Sequence, residues 1–142
     1  MAKSCPFPAL APCAKPCSPS ERMEYDIITK PVFGGLTKIS LDAVKKLSDH
    51  PWFNRTLCAV NGSLVRIGVF HGEFHWHSHE LEDEFFLVLE GELEVEIEGR
   101  ESVRLKPMEG VMVPKGVRHK TKAPTGATVL MVEQNTIVPT GS

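Results

Sequence analysis

The stretch whose reading decides the fold is His77-Ser78-His79-Glu80-Leu81-Glu82-Asp83-Glu84-Phe85-Phe86-Leu87-Val88-Leu89-Glu90-Gly91. A second stretch, Pro114-Lys115-Gly116-Val117-Arg118-His119, follows it and brings a further histidine. Three imidazoles and one carboxylate (His77, His79, Glu84, His119) form a ligand set for one divalent transition metal. Fe(II), Mn(II), Ni(II), Cu(II) and Zn(II) all accept such donors, so residue type does not choose among them. Residues two apart in a strand point to one face, which would set His77 and His79 side by side. Open coordination positions beyond these four donors are what an ion needs to polarise a substrate or bind dioxygen.

The surrounding pattern is that of short strands. Asn61-Gly62 between Arg55–Val60 and Ser63–Phe70 is a strong hairpin signal. A turn at His71-Gly72 is expected to lead into a strand over 73–79. Glu84–Leu89 and Glu92–Glu98 are joined by Glu90-Gly91, and Leu93, Val95 and Ile97 alternate with four glutamates. Further strands are expected over 102–105, 111–113, 119–123 and 127–133, with turns at Lys106-Pro107 and Pro124-Thr125-Gly126. Upstream, 25–33 reads as an edge strand. Ser40 reads as the N-cap of one short N-terminal helix through about Ser48, with Leu41, Val44 and Leu47 on one side. Short strands with regular turns and little helix mean an all-β antiparallel sandwich or barrel.

The tracts FHWHSHELEDEFFLVLEGELEVEI and LKPMEGVMVPKGVRHK, within residues 61–133, resemble a small single-domain cupin of the mannose-6-phosphate-isomerase-like type. The resemblance implies a double-stranded β-helix (jelly-roll) barrel and a metal held by His77, His79, Glu84 and His119. His75, His77 and His79 offer two His-x-His registers. Taking His75 and His77 would select Glu82 and put the motif's glycine on Leu89; taking His77 and His79 selects Glu84 and Gly91. Gly91 sits at a tight turn, where positive φ is cheap only for glycine, so the second register is preferred. The chain departs from the pattern at Met108, where a glycine usually precedes the strand and Gly110 instead follows two positions later. It departs again at His75, which would share the inward face as a catalytic base or substrate contact, or else sit hydrogen-bonded near the barrel rim.

The chain has 142 residues, one domain's worth, and a formal charge of −2, which gives no sign of a nucleic-acid or membrane-surface protein. No window is apolar and long enough to span a membrane, and the N-terminus lacks the apolar core of a secretory signal, so a cytoplasmic protein is expected. Residues 1–22 are read as a Pro-rich arm, carrying Cys5, Cys13 and Cys17 without a CxxC pair, and 23–142 as the cupin domain. Charge is uneven: 80–101 is mostly acidic and 104–122 mostly basic. Opposite-signed strand faces explain this; a basic pocket rim of Arg104, Lys115, Arg118, Lys120 and Lys122 is the sharper alternative. The run Phe85–Leu89 is apolar on both faces, so it must be covered on both, by the N-terminal segment or by a second subunit; the cupin resemblance favours a homodimer. Arg66 reads as a solvated or paired strand arginine, with an anion clamp as the alternative.

Two functions compete. One is a metal-dependent enzyme, of oxygenase or isomerase/epimerase type, on a small polar substrate. An isomerase would need a proton-transfer base, for which His75 and Glu73 are available. The alternative is a non-catalytic, small-molecule (sugar-like) binding cupin, since the fold itself does not give function.

Overall fold

The computed structural model describes residues 25–142; the Pro-rich arm and its three cysteines lie outside them. Strands β2 (Trp52–Val60) and β3 (Ser63–Glu73) make the hairpin expected around Asn61-Gly62, with Val60 opposite Ser63. Asn61 takes φ 53, a left-handed conformation that asparagine tolerates. Strand β1 (Asp26–Ile28) pairs in parallel with the start of β2 at the sheet edge. It is shorter than the edge strand predicted over 25–33.

The long element is β8 (His119–Gln134). Its second half lies between β3 and β4 (Glu84–Gly91); its first residues pair instead with β5 (Leu93–Ile97). The turn predicted at Pro124–Gly126 is in fact a bulge inside this strand. Both flanks pair with β3, Ala127 with Phe70 and Ala123 with Gly72, so the strand bends without ending. The turn predicted at His71-Gly72 is the matching irregularity in β3.

β8 therefore belongs to two layers. One runs β1-β2-β3-β8-β4-β7, with β7 (Gly110–Val113) at its edge; the other adds β5 and β6 (Arg100–Leu105). The closed barrel expected from the sequence is not formed as a hydrogen-bonded ring: β6 pairs only with β5 and β7 only with β4 among the described residues. The turn between them carries the chain across the layers, held by Met108 N–H to Val88 O (2.8 Å) and Glu109 N–H to Lys106 O (3.0 Å). Met108 adopts φ 71 there, the position glycine would normally take. Gly110 is needed two residues on because a Cβ would lie 2.7 Å from the Phe86 carbonyl.

Between the layers pack Trp52, Phe70, Phe74, Phe86, Val88, Leu93, Val95 and Met131. Burying side chains of this size contributes about 1.5–3 kcal/mol each. The helix α1 (Leu41–Lys45) closes the outer face of β2 and β3 through Val44, against Phe53, Leu57 and Ile67. Ser40 caps it, its hydroxyl accepting from Ala43 N–H at 3.3 Å. It ends sooner than the predicted Ser48, so Leu47 falls off the packed side and is 68% exposed.

The uneven charge resolves into cross-strand pairs rather than a basic rim. Glu94 faces Lys122 and Glu96 faces Lys120 in register. Lys120 also reaches Glu73 (3.1 Å), Lys122 pairs with Glu96, and Arg118 pairs with Glu98 at 3.1 Å.

Gly91 has φ 75, and any Cβ on it would run into the Gly126 carbonyl at the β8 bulge. Gly91→Ala should therefore lower stability by roughly 2 kcal/mol or more in denaturant unfolding. Met108→Gly, which relieves a strained residue with no such contact, should be neutral or stabilising by up to about 1 kcal/mol. Equal effects of the two would contradict this account of the turns.

Candidate metal centre

His77, His79, Glu84 and His119 come together in the interior, all four buried, with their ligand atoms within 4.8 Å of one another. Glu84 opens β4 and is held on both sides, opposite Val113 of β7 and Glu133 of β8. His119 opens β8, and an isolated antiparallel bridge joins it to His77 (N–H to carbonyl, 3.0 and 2.9 Å). The strand predicted over 73–79 is absent beyond Glu73 apart from this bridge. His79 is fastened instead by its carbonyl, which accepts from Gly116 N–H at 2.7 Å. Gly116 has φ 77, and Lys115 N–H donates to Asp83 Oδ1 at 2.9 Å. The turn of the second motif thus pins the loop of the first.

Tautomers follow from the backbone. Nδ1–H of His77 donates to the His75 carbonyl (3.0 Å), and Nδ1–H of His119 donates to the Val117 carbonyl (3.0 Å). In both rings this turns Nε2 toward the cluster, the arrangement that carbonyl partners impose on metal-binding imidazoles. Nε2 of His119 and of His79 lie 3.2 and 3.4 Å from the same oxygen, Glu84 Oε2. Nε2 of His79 is buried without a hydrogen-bond partner. Three imidazole nitrogens and a carboxylate converging in a buried pocket fit a divalent transition metal.

The protonation states are set by the same contacts. Burial penalises the charge of Glu84, but the hydrogen bond to His119 and the nearby imidazole of His79 outweigh it and hold the carboxyl down to about 2. Burial pushes His77 down to about 4, so it is neutral near pH 7. Burial also opposes the charge of His119, yet the Glu84 hydrogen bond prevails and raises it above its ordinary value.

Beside His77 and Glu84 lies a narrow cavity of about 20 Å³, lined also by Trp52, Asn54, Phe74 and Pro139, with room for about one water molecule. Phe74, whose strand alternation would turn it away from the ligands, is buried here with its ring edge-on to His77 at 5.1 Å. The alternation fails because residues 74–76 are not in a strand. Trp76 does stay on the outside, under Arg118 and Lys120. His75 is half-buried, with its ring 5.3 Å from that of His77. Its Nε2–H donates to the Thr140 carbonyl at 2.6 Å and its Nδ1 accepts from Tyr25 O–H at 2.9 Å.

Arg66 is fully buried and paired with Glu133 (Nη1 to Oε1, 3.3 Å). Asn54, Thr56 and Glu133, not singled out in the sequence, share this interior. Only Asn54 and Thr56 carried a signal, being two apart and so on one face of a strand otherwise rich in apolar residues, with the charged Arg55 on the other face between them. The C-terminal segment had no such signal. Pro139 lines the cavity, Ser142 N–H donates to the Ser78 carbonyl (3.1 Å), and a Cβ on Gly141 would lie 2.7 Å from His77 Cδ2.

Two β layers enclosing a buried His77/His79/Glu84/His119 cluster are what the cupin resemblance implies. The Cupin domain family model matches residues 64–133, and the chain belongs to that family. An uncharacterized Bacillus subtilis protein, YdbB, is 40% identical over 80 residues, 56% of this chain and 71% of that protein. A crystal structure of a cupin-2 domain protein from Shewanella frigidimarina superposes with TM-score 0.64 at 29% identity, over 68% of this chain and 93% of its own. The ectoine synthase of P. lautus shares the fold with TM-score 0.55 at 19% identity, over 62% of this chain and 67% of its own.

A metal ion must displace the proton that Glu84 helps His119 to hold. Raising the pH through the raised His119 pKa removes that competitor, and lowering it restores the competition; His77 contributes nothing until about pH 4. Mn(II) affinity measured by calorimetry should therefore rise from pH 6 to 8, with proton release on binding near pH 7. A flat affinity over that window, with no buffer-dependent heat, would contradict the assignment.

Proposed function

We propose that this chain is a mononuclear metal-dependent enzyme, of oxygenase or isomerase/epimerase type, acting on a small polar substrate. The ion is held by His77, His79, Glu84 and His119. The observation that carries the reading is the convergence of these four buried ligand atoms, with two imidazoles fixed by backbone carbonyls so that Nε2 points to the common centre. A bound divalent ion would supply Lewis-acid or, with a redox metal, dioxygen chemistry. The residues of the chain supply the rest. Trp52, Phe74 and Phe86 wall the cavity with apolar surface, while Asn54 and Thr121 offer polar contacts in it. The mannose-6-phosphate-isomerase-like grouping belongs to this reading.

His75 keeps its proposed proton-transfer role on one condition. Both ring nitrogens are engaged, so it must release the Thr140 carbonyl or Tyr25 before it can exchange a proton with a substrate. That same observation favours the second reading, binding of a sugar-like ligand without turnover, because among the described residues no base other than His77 and Glu84 lines the cavity. The two separate on His75→Ala, assayed with sugars, uronates and small diketones, aerobically and anaerobically. For an enzyme, turnover falls while metal content and binding persist; for a binding module, the ligand is recovered unchanged and only its affinity shifts.

Protein purified without chelator should carry about one divalent transition metal per chain. His119→Ala should weaken metal binding tenfold or more, as loss of a ligand does. His50→Ala should leave it unchanged, since that ring serves only to accept from Trp52 N–H at 3.0 Å. Elemental analysis finding no metal, together with no thermal stabilisation by Fe, Mn, Ni, Cu or Zn, would sink the reading.

We propose in addition that the chain forms a homodimer. The outward row Phe85, Leu87 and Leu89 on β4 is only half-buried, and Met112 beside it on β7 is 51% exposed. Light scattering at micromolar concentration should give twice the chain mass, and Met112→Glu should shift it toward monomer; a wild-type monomer would refute the dimer.

A further inference from the structure

The interior carries a second set of polar atoms that the metal ligands do not use. On β2, Asn54 and Thr56 are two apart and both buried; Thr56 stands directly opposite Arg66 of β3 in register. Arg66 has no solvent exposure, and only its Nη1 is engaged, by Glu133. Among the described residues its Nε and Nη2 have no hydrogen-bond partner, and neither have Thr56 Oγ1 and Asn54 Oδ1. Nε and Nη2 form one edge of the guanidinium, the fork that takes both oxygens of a carboxylate. An unpaired fork in the interior is costly and rarely left so.

The row leads to the metal centre. Asn54 lines the same cavity as His77 and Glu84, and Glu133 stands opposite Glu84 across β8 and β4. Charge points the same way. With a divalent ion bound beside Glu84, and with Arg66 paired to Glu133, the buried charges sum to an excess of positive charge whether or not Glu133 is ionised. A buried excess of one sign calls for a counter-ion.

We infer that the ligand of this site is a small monoanionic carboxylate, its carboxylate group held by the Nε–Nη2 edge of Arg66 and the Thr56 hydroxyl while its other polar end faces the metal. The inference rests on the metal-centre reading and names the substrate class for it. A free carboxylate supplies two acceptor oxygens for the three kinds of donor present, Nε–H, Nη2–H and the hydroxyl O–H. Asn54 adds a further donor if its amide is turned to present Nδ2, an orientation set by the hydrogen bonds available. A neutral sugar hydroxyl would leave the excess charge uncompensated. The cavity as it stands has room for about one water molecule, and neither Arg66 nor Thr56 lines it. The ligand is therefore restricted to the smallest acids, such as acetate or a short 2-oxo or 2-hydroxy acid, and the side chains between Asn54 and the guanidinium must part to admit it.

The test uses the full chain, with pyruvate, lactate and acetate as probes and pyruvamide, lactamide and acetamide as neutral counterparts. Binding is read by Trp52-sensitive fluorescence and by thermal shift, in Mn(II)-loaded and metal-free protein. Carboxylates should bind and the amides should bind at least tenfold more weakly. Arg66→Lys, which keeps the charge but loses the fork, should weaken carboxylate binding about tenfold, and Thr56→Val should weaken it less, both with unchanged Mn(II) stoichiometry. If Arg66→Lys fails to fold, Thr56→Val and the amide comparison still decide. Equal binding of acids and amides, carboxylate binding untouched by both variants, or crystallographic density at the fork showing one water that persists in saturating pyruvate would each overturn the inference. Absence of carboxylate binding to the unsubstituted protein with Mn(II) stoichiometric counts against the carboxylate subsite alone; absence of Mn(II) binding counts against the metal centre.

Discussion

The pairing of β8 with three neighbours holds both the fold and the site in place. The second half of this strand is hydrogen-bonded to β3 on one side and β4 on the other, and its first residues turn to β5. A strand can serve two layers only if it bends, and the extra residues Pro124, Thr125 and Gly126 provide the bend. Gly91 must then pass close to the Gly126 carbonyl, which is why the end of β4 tolerates no side chain at that position. The same strand delivers His119 at one end and Glu133 near the other. The distance between the buried histidine–glutamate cluster and the Arg66 pair is therefore set by backbone hydrogen bonding rather than by flexible loops.

Electrostatics imposes the second constraint. Glu84 is buried, and a lone carboxylate there would take up a proton rather than remain charged. His79 and His119, each near its Oε2, keep it ionised and hold its pKa far below the usual carboxylate range. Glu133 meets the opposite fate one strand away: burial and the Glu84 charge push it up to about 7, and Arg66 only partly opposes them. Two glutamates on adjacent strands thus divide the roles, one permanently ionised beside the imidazoles and one poised near neutrality beside the guanidinium.

Much of this was legible in the sequence, and the failures have a common cause. Asn61-Gly62, the alternation of Leu93, Val95 and Ile97, and the inward set Glu84, Phe86 and Val88 follow from local rules that the tertiary structure obeys. The grouping of His77, His79, Glu84 and His119 was legible because motif spacing encodes it. Glycine and proline mark chain reversals and bulges alike, and the local sequence does not separate the two. His71-Gly72 and Pro124–Gly126 are complementary bulges in paired strands, and only the partner strand reveals that. The two-residue period stops where β3 ends at Glu73, so alternation does not place Phe74, whose ring stands beside His77, while His75 takes the hydrogen-bonded arrangement that was one of its two readings. Arg66 read as a solvated or paired strand residue, and paired it is, but composition says nothing about its complete burial.

That burial bears on what the interior is for. A buried ion pair such as Arg66–Glu133 recovers its desolvation cost only with good geometry and satisfied remaining donors, and apolar residues of similar volume often give a more stable protein. Here the geometry is loose, 3.3 Å at the nearer oxygen, and two of the guanidinium nitrogens are unsatisfied. Three buried imidazoles and a second carboxylate stand beside it, where Leu, Met or Phe would pack without penalty. The outer core under α1 follows that apolar recipe, with Val44, Phe53, Leu57 and Ile67. The contrast within one small domain separates the two tasks: the α1 face is built for stability, and the space between the layers gives stability up to keep donors and charges facing one another. Departures from local rules of this kind cluster where a protein meets its ligand.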